Sequence, residues 1–157
     1  MSRPGDEVRS IGAAATRRRA EIFLQHATLR GMVESLFRGA AAAEDGRDPD
    51  GAILKRRLVA LGFALDRHLL DEEDLLEPFF ARSDGAGAPF LERMNEEHAR
   101  QRAVIARLRS APGSETSLPE LAARAAAIGR ALLEEMDEEE RQLLSLQAFG
   151  ARTPASP

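Results

Sequence analysis

The sequence has no cysteine, no tryptophan and no tyrosine. Without cysteine, disulfides, thiolate nucleophiles and cysteine-ligated zinc are excluded. Without tyrosine, tyrosine-based radical chemistry is excluded as well. No run approaches the roughly 20 apolar residues of a membrane span. The N-terminus carries Asp6 and Glu7 and no apolar core long enough for a signal peptide. The chain therefore reads as soluble and cytoplasmic, with no membrane partner. A basic stripe is missing too: the net charge is −4, spread in mixed-sign runs, which argues against nucleic acid. Arg17, Arg18 and Arg19 form the one basic cluster. It reads as a solvated helix start, with an anion or partner contact as the alternative.

What is present points to helices. Leu and Ala dominate over β-branched and aromatic residues, and 157 residues suit one domain. Residues 1–15 are expected to be a flexible lead-in. From about Thr16 to Ala43 the positions Ile22, His26, Leu29, Val33 and Leu36 step by three and four, the period of an amphipathic helix. Residues 44–51 break it, and Asp48-Pro49 offers an N-cap followed by proline at the first helical position. A second helix is predicted from about Pro49 to Glu77, where Pro78 and a glycine-rich loop end it. A third starts near Pro89, with an inner stripe of Leu91, Met94, His98, Gln101, Ile105 and Leu108, and stops at Ala111-Pro112-Gly113. Ser117 and Glu120 make a capping box for a fourth helix, which continues to about Ala148; residues 149–157 are expected to be a disordered tail. Four long helices with short polar connections define an all-α, up-down-up-down four-helix bundle over residues 16–148.

All three histidines, His26, His68 and His98, fall on apolar stripes of different helices. A lone histidine on such a face is usually a satisfied core residue, but three of three strain that reading. His68 and Glu72 are four residues apart, so a helix stacks them on one face. The fourth helix admits two registers. Its bulkier stripe, Leu118, Leu121, Ala125, Ile128, Leu132, Leu143 and Leu146, places Glu135 and Glu139 inward. A stripe of smaller residues, Ala122, Ala126, Gly129 and Leu133, places Met136 and Glu140 inward instead. The bulkier stripe is preferred because a core needs volume. At about 1.5 Å rise per residue, His26, His68 and Glu135 lie roughly 25–28 Å from one end of the bundle and so meet at one level. Three imidazoles and three carboxylates, His26, His68, Glu72, His98, Glu135 and Glu139, then converge. Close carboxylates in a poor dielectric must protonate or destabilise the fold. Two divalent ions reverse that balance, and mixed imidazole and carboxylate donors suit iron, with manganese or zinc also possible.

In this order of motifs the chain resembles the hemerythrin-like, HHE cation-binding family. The resemblance rests on His26, the run HLLDEEDLLEP from His68 to Pro78, the EEH ending at His98, and EMDEEERQLLS from Glu135. It implies a non-haem centre of two iron ions that binds or turns over a small oxidant (O2, peroxide or nitric oxide), or that senses or stores iron. Any catalysis would be oxidoreduction of such a molecule. Glu73 and Glu138 would support the ligands or lie on the surface. Two departures stand out. Arg102 holds the place where oxygen carriers have a second histidine, and Glu135 or Met136 holds that of the usual helix 4 histidine. These departures favour the alternative of a regulatory or iron-sensing helical module with an incomplete or absent metal site.

Overall fold

The computed structural model describes residues 4–80, 88–109 and 117–150. Four helices account for nearly all of them: α1 Pro4–Glu44, α2 Ala52–Phe80, α3 Ala88–Arg109 and α4 Leu118–Gly150. No strand occurs among the described residues, and none of their helices is long and apolar enough to cross a membrane. The architecture is the all-α four-helix bundle expected.

Several boundaries differ from expectation. The helix α1 begins at Pro4, well before Thr16. Apolar periodicity marks burial rather than helicity, and among the described residues burial begins only at Ile22. The helix α2 begins at Ala52 rather than Pro49 because Gly51 has φ +66°, which a right-handed helix cannot contain. Asp48 still caps it: its carboxylate accepts the backbone N–H groups of Ile53 at 3.0 Å and Leu54 at 3.1 Å. Those bonds hold the Asp48 carboxyl below its ordinary pKa, against the opposing effect of burial. At its other end α2 runs through Pro78 to Phe80. Proline can offer no N–H to the helix ladder, and near this break Arg18 donates to the Leu75 carbonyl at 3.1 Å. The middle residue of the basic cluster is thus a structural tie between α1 and α2. The capping box is present, with the Glu120 carboxylate accepting the Ser117 N–H at 3.0 Å. Residues 81–87 of the expected loop, the Ala111-Pro112-Gly113 stop and residues 151–157 lie outside the described residues, whereas Ala88 opens α3 and α4 takes in Phe149 and Gly150 of the expected tail.

Two apolar clusters fill the bundle. The larger holds Leu29, Val33 and Leu36 of α1, Leu54 to Leu69 of α2, Ile105 of α3, and Leu121, Ala122, Ala125, Leu132 and Met136 of α4. The smaller holds Ile22, Leu76, Met94 and Leu143. Each fully buried leucine or valine contributes about 1.5–3 kcal/mol. The buried face of α4 mixes both registers, because Gly129 lets α1 come close. A Cβ there would stand 2.6 Å from the Phe37 ring. The side chain of Phe37 supplies the bulk that the small residues of α4 lack.

Candidate metal centre

His26, His68, Glu72 and His98 are all buried, between 0% and 5% exposed. Polar groups so placed need partners, since burying one unpaired costs on the order of 2–7 kcal/mol. Their residue positions on the apolar stripes force them inward, and the surrounding helices supply the partners.

Each imidazole turns the same way. His68 Nδ1 lies 2.8 Å from Gln25 Oε1, His98 Nδ1 lies 2.8 Å from Glu73 Oε1, and His26 Nδ1 lies 3.0 Å from Glu140 Oε1. Because all three partners are acceptors, each Nδ1 carries a proton and donates it. The Nε2 atoms face one another across the bundle. His26 Nε2 is 3.2 Å from Glu139 Oε2, His98 Nε2 is 3.2 Å from Glu72 Oε2, and His68 Nε2 is 3.5 Å from the same Glu72 oxygen. The rings of His26 and His68 meet edge to face with centroids 4.9 Å apart. His26, His68 and Glu139 each offer one donor atom within 4.8 Å of the others.

This set fits a metal. Neighbouring donors on an ion with bonds of about 2.1 Å lie about 3 Å apart, close to the 3.2 Å of His26–Glu139 and His98–Glu72 and the 3.5 Å of His68–Glu72. Outward Nδ1–H groups bound to carboxylates or amides are the usual support of metal-ligating histidines. Moreover, His26 Nε2 is buried and has no hydrogen bond, despite its nearness to Glu139. An orphaned nitrogen of this kind has its natural partner in a cation.

The electrostatics point the same way. Burial works against the charged form of His26, but Glu139 and then Glu140 outweigh it and raise its pKa. Burial likewise opposes charge at His98, and Glu72 and Glu73 raise its pKa. His68 is pulled down to about 4 by burial and by the positive charge of His26. Burial would raise Glu73 and Glu140, yet their hydrogen bonds, from His98 and Arg102 in one case and Arg30 and His26 in the other, hold both carboxyls low. Glu135 is pushed up to about 7 by burial and by the charges of Glu97 and Glu139. In the metal-free protein the carboxylates around His26 and His98 thus favour the protonated imidazoles, the sign of charge that ions would otherwise bring.

Glu135 stands apart from the three-residue group. Its Oε2 accepts the Gln101 amide at 3.2 Å. It lines a cavity of about 300 Å³ with Glu72, His98 and Glu139, between α3 and α4. Phe90, Met94 and Leu143 give this cleft an apolar side, and Glu97 and Arg100 a charged one. Between the two registers considered for α4, Met136 is buried in the core while Glu135, Glu139 and Glu140 are all partly exposed. Glu139 and Glu140 both reach His26, one at each ring nitrogen.

The supporting residues Gln25, Arg30 and Arg102 were not signalled by helical periodicity. Gln25 and Arg102 flank the inner stripes, and only the inter-helix distances reveal their targets. Arg102 turns away from the centre and grips Glu73 at 2.8 and 2.9 Å.

A buried histidine–carboxylate cluster inside a four-helix bundle defines a cation-binding protein of the helical-bundle class. The model of the hemerythrin HHE cation binding domain matches residues 19–146, and the chain belongs to that family. No curated protein and no solved structure matches the chain.

Proposed function

We propose that the chain is a non-haem di-iron protein that binds or turns over a small oxidant, O2, peroxide or nitric oxide. The position of Glu72 carries this reading. Its Oε2 lies 3.5 Å from His68 Nε2 and 3.2 Å from His98 Nε2, so one carboxylate joins two imidazoles that would hold metal. On that reading His26, His68 and Glu139 would hold metal together, Glu72 and His98 would add donors beside them, and Glu135 would stand on the cleft wall. Bound iron supplies one-electron chemistry and open coordination positions.

The chain's own residues set the conditions around it. The cleft between α3 and α4 is the way in, wide enough for a diatomic or a peroxide. Apolar residues of the smaller cluster shield one end of the centre from water. Glu135, with its pKa near 7, holds or releases a proton on the cleft wall.

Metal quantification of protein made in iron-replete cells, with its absorption spectrum, tests the proposal. About two iron ions per chain and a near-ultraviolet band lost on chelation are expected. Protein that carries no transition metal overturns it. Zinc alone reduces it to metal binding without oxidant chemistry. Reversible loss of helicity on chelation would favour iron sensing.

A further inference from the structure

Behind each of the three Nδ1 partners stands a charged side chain. Gln25 Nε2 donates to Asp71 Oδ2 at 3.1 Å, and Arg67 pairs with Asp71 at 2.7 Å. Glu73 accepts both Arg102 contacts, and Glu140 accepts Arg30 Nη1 at 2.6 Å. Arg30 also pairs with Asp137 at 2.7 Å. The signs follow a rule. The one amide has a carboxylate behind it, and the two carboxylates have guanidinium groups behind them.

Chemistry explains the rule. An amide can present either its oxygen or its NH2 to a histidine, and a carboxylate behind it attracts the NH2. The oxygen is then left for the imidazole. A carboxylate presents oxygens on both sides, so a guanidinium fixes its position and draws off part of its charge. Both arrangements leave an acceptor, and only an acceptor, facing Nδ1. The proton is thereby kept on Nδ1 and the Nε2 lone pair is kept free, as a metal ligand requires.

We propose that Gln25, Glu73 and Glu140 are positioning residues that lock the tautomer of the three imidazoles, with Asp71, Arg102 and Arg30 setting which way each partner faces. This inference rests on the metal-centre reading. It makes Arg102 part of the site's support rather than a lost ligand. It also divides the imidazoles, since two are backed by carboxylates and His68 by a neutral amide.

The test exchanges one arrangement for the other. In Glu73→Gln the new amide meets Arg102, a donor, and turns its oxygen that way, which leaves its NH2 against His98. The double variant Glu73→Gln with Arg102→Glu recreates the Gln25–Asp71 arrangement and returns the oxygen to His98. Cobalt(II) serves as the probe, with affinity and visible spectrum as readouts. Glu73→Gln is expected to lose about ten- to a hundredfold in affinity, and the double variant to recover most of it with a wild-type spectrum. Wild-type affinity in Glu73→Gln, or a double variant as weak as the single one, overturns the proposal.

Nitrogen-15 NMR of the metal-free protein reads the tautomers without any metal. It is expected to report protonated Nδ1 at His68 in wild type and loss of that pattern in Gln25→Leu. An Nε2-protonated His68 in wild type overturns the lock. Wild type that binds no cobalt overturns the metal reading instead, and the NMR result still decides the lock. Arg102 is 41% exposed, so Arg102→Gln keeps the affinity test available should Glu73→Gln fail to fold. It is expected to weaken cobalt binding severalfold, and unchanged affinity there counts against the proposal.

Discussion

Glu139 Oε2 lies 3.2 Å from Nε2 of His26, a buried nitrogen with no hydrogen bond. One residue further along α4, Glu140 takes the other nitrogen of the same ring at 3.0 Å. The two carboxylates face different tasks, since one would share an ion with His26 and the other holds its ring. Glu139→Gln is expected to cost more metal affinity than the ten- to hundredfold typical of outer partners. Titration with cobalt(II) checks this, and an affinity within a fewfold of wild type would remove Glu139 from the ligand set.

The close approach of α1 and α4 yields a separate prediction. At Gly129 a Cβ would stand 2.6 and 2.9 Å from two atoms of the Phe37 ring and 3.1 Å from Val33. Helix propensity alone favours Gly129→Ala by about 1 kcal/mol, but overpacking costs about 1–3 kcal/mol. The clash is expected to win, so the variant should unfold at lower denaturant. Adding Phe37→Leu should return part of the loss. A Gly129→Ala protein more stable than wild type would show that Phe37 moves aside freely.

This contact also explains what was legible in the sequence. The bundle, the four helices and the inward placing of His26, His68, Glu72 and His98 follow from three–four spacing of apolar residues, since burial and periodicity are one pattern. The orientation of α4 was harder to read. Bulk favours the stripe of Leu118, Leu121 and Leu132, yet Ala122 and Gly129 of the smaller stripe are buried as well, Gly129 against the Phe37 ring from α1. The buried face consequently straddles both stripes, and Met136 lies inside while Glu139 still reaches His26. The histidine supports were not legible at all. Gln25 belongs to His68 and Glu73 to His98, pairings across helices that no single-helix pattern encodes.

The cleft gives a prediction about access. Glu97 and Arg100 pair at its edge. Phe90 and Leu143 line the same opening. Widening the gap with Phe90→Ala should speed removal of bound metal by a chelator while leaving the equilibrium metal content unchanged. Stopped-flow release measured by chelator colour checks it. An unaltered release rate would mean that metal leaves by another route.

The titrating groups of the centre set how stability varies with pH. His26 and His98 have pKa values raised above 6.5 in the folded protein. Their contribution is therefore complete below that value and is lost as the pH rises through the folded values. Glu135, raised from 4.5 to about 7, favours the fold when protonated, and that contribution is lost between those values. His68, lowered to about 4, acts oppositely. Its contribution is present above 6.5 and is lost as the pH falls from there toward 4. Glu73 and Glu140, both lowered, are charged throughout the neutral range. Above pH 6.5, then, the site makes the metal-free protein less stable as pH rises through the raised values of His26 and His98. Metal competes with the same protons, so bound ions should restore what deprotonation removes. The gap in Tm between metal-loaded and metal-free protein is expected to widen across that range. A gap that stays constant or narrows would mean that His26, His98 and Glu135 do not give up protons to the metal.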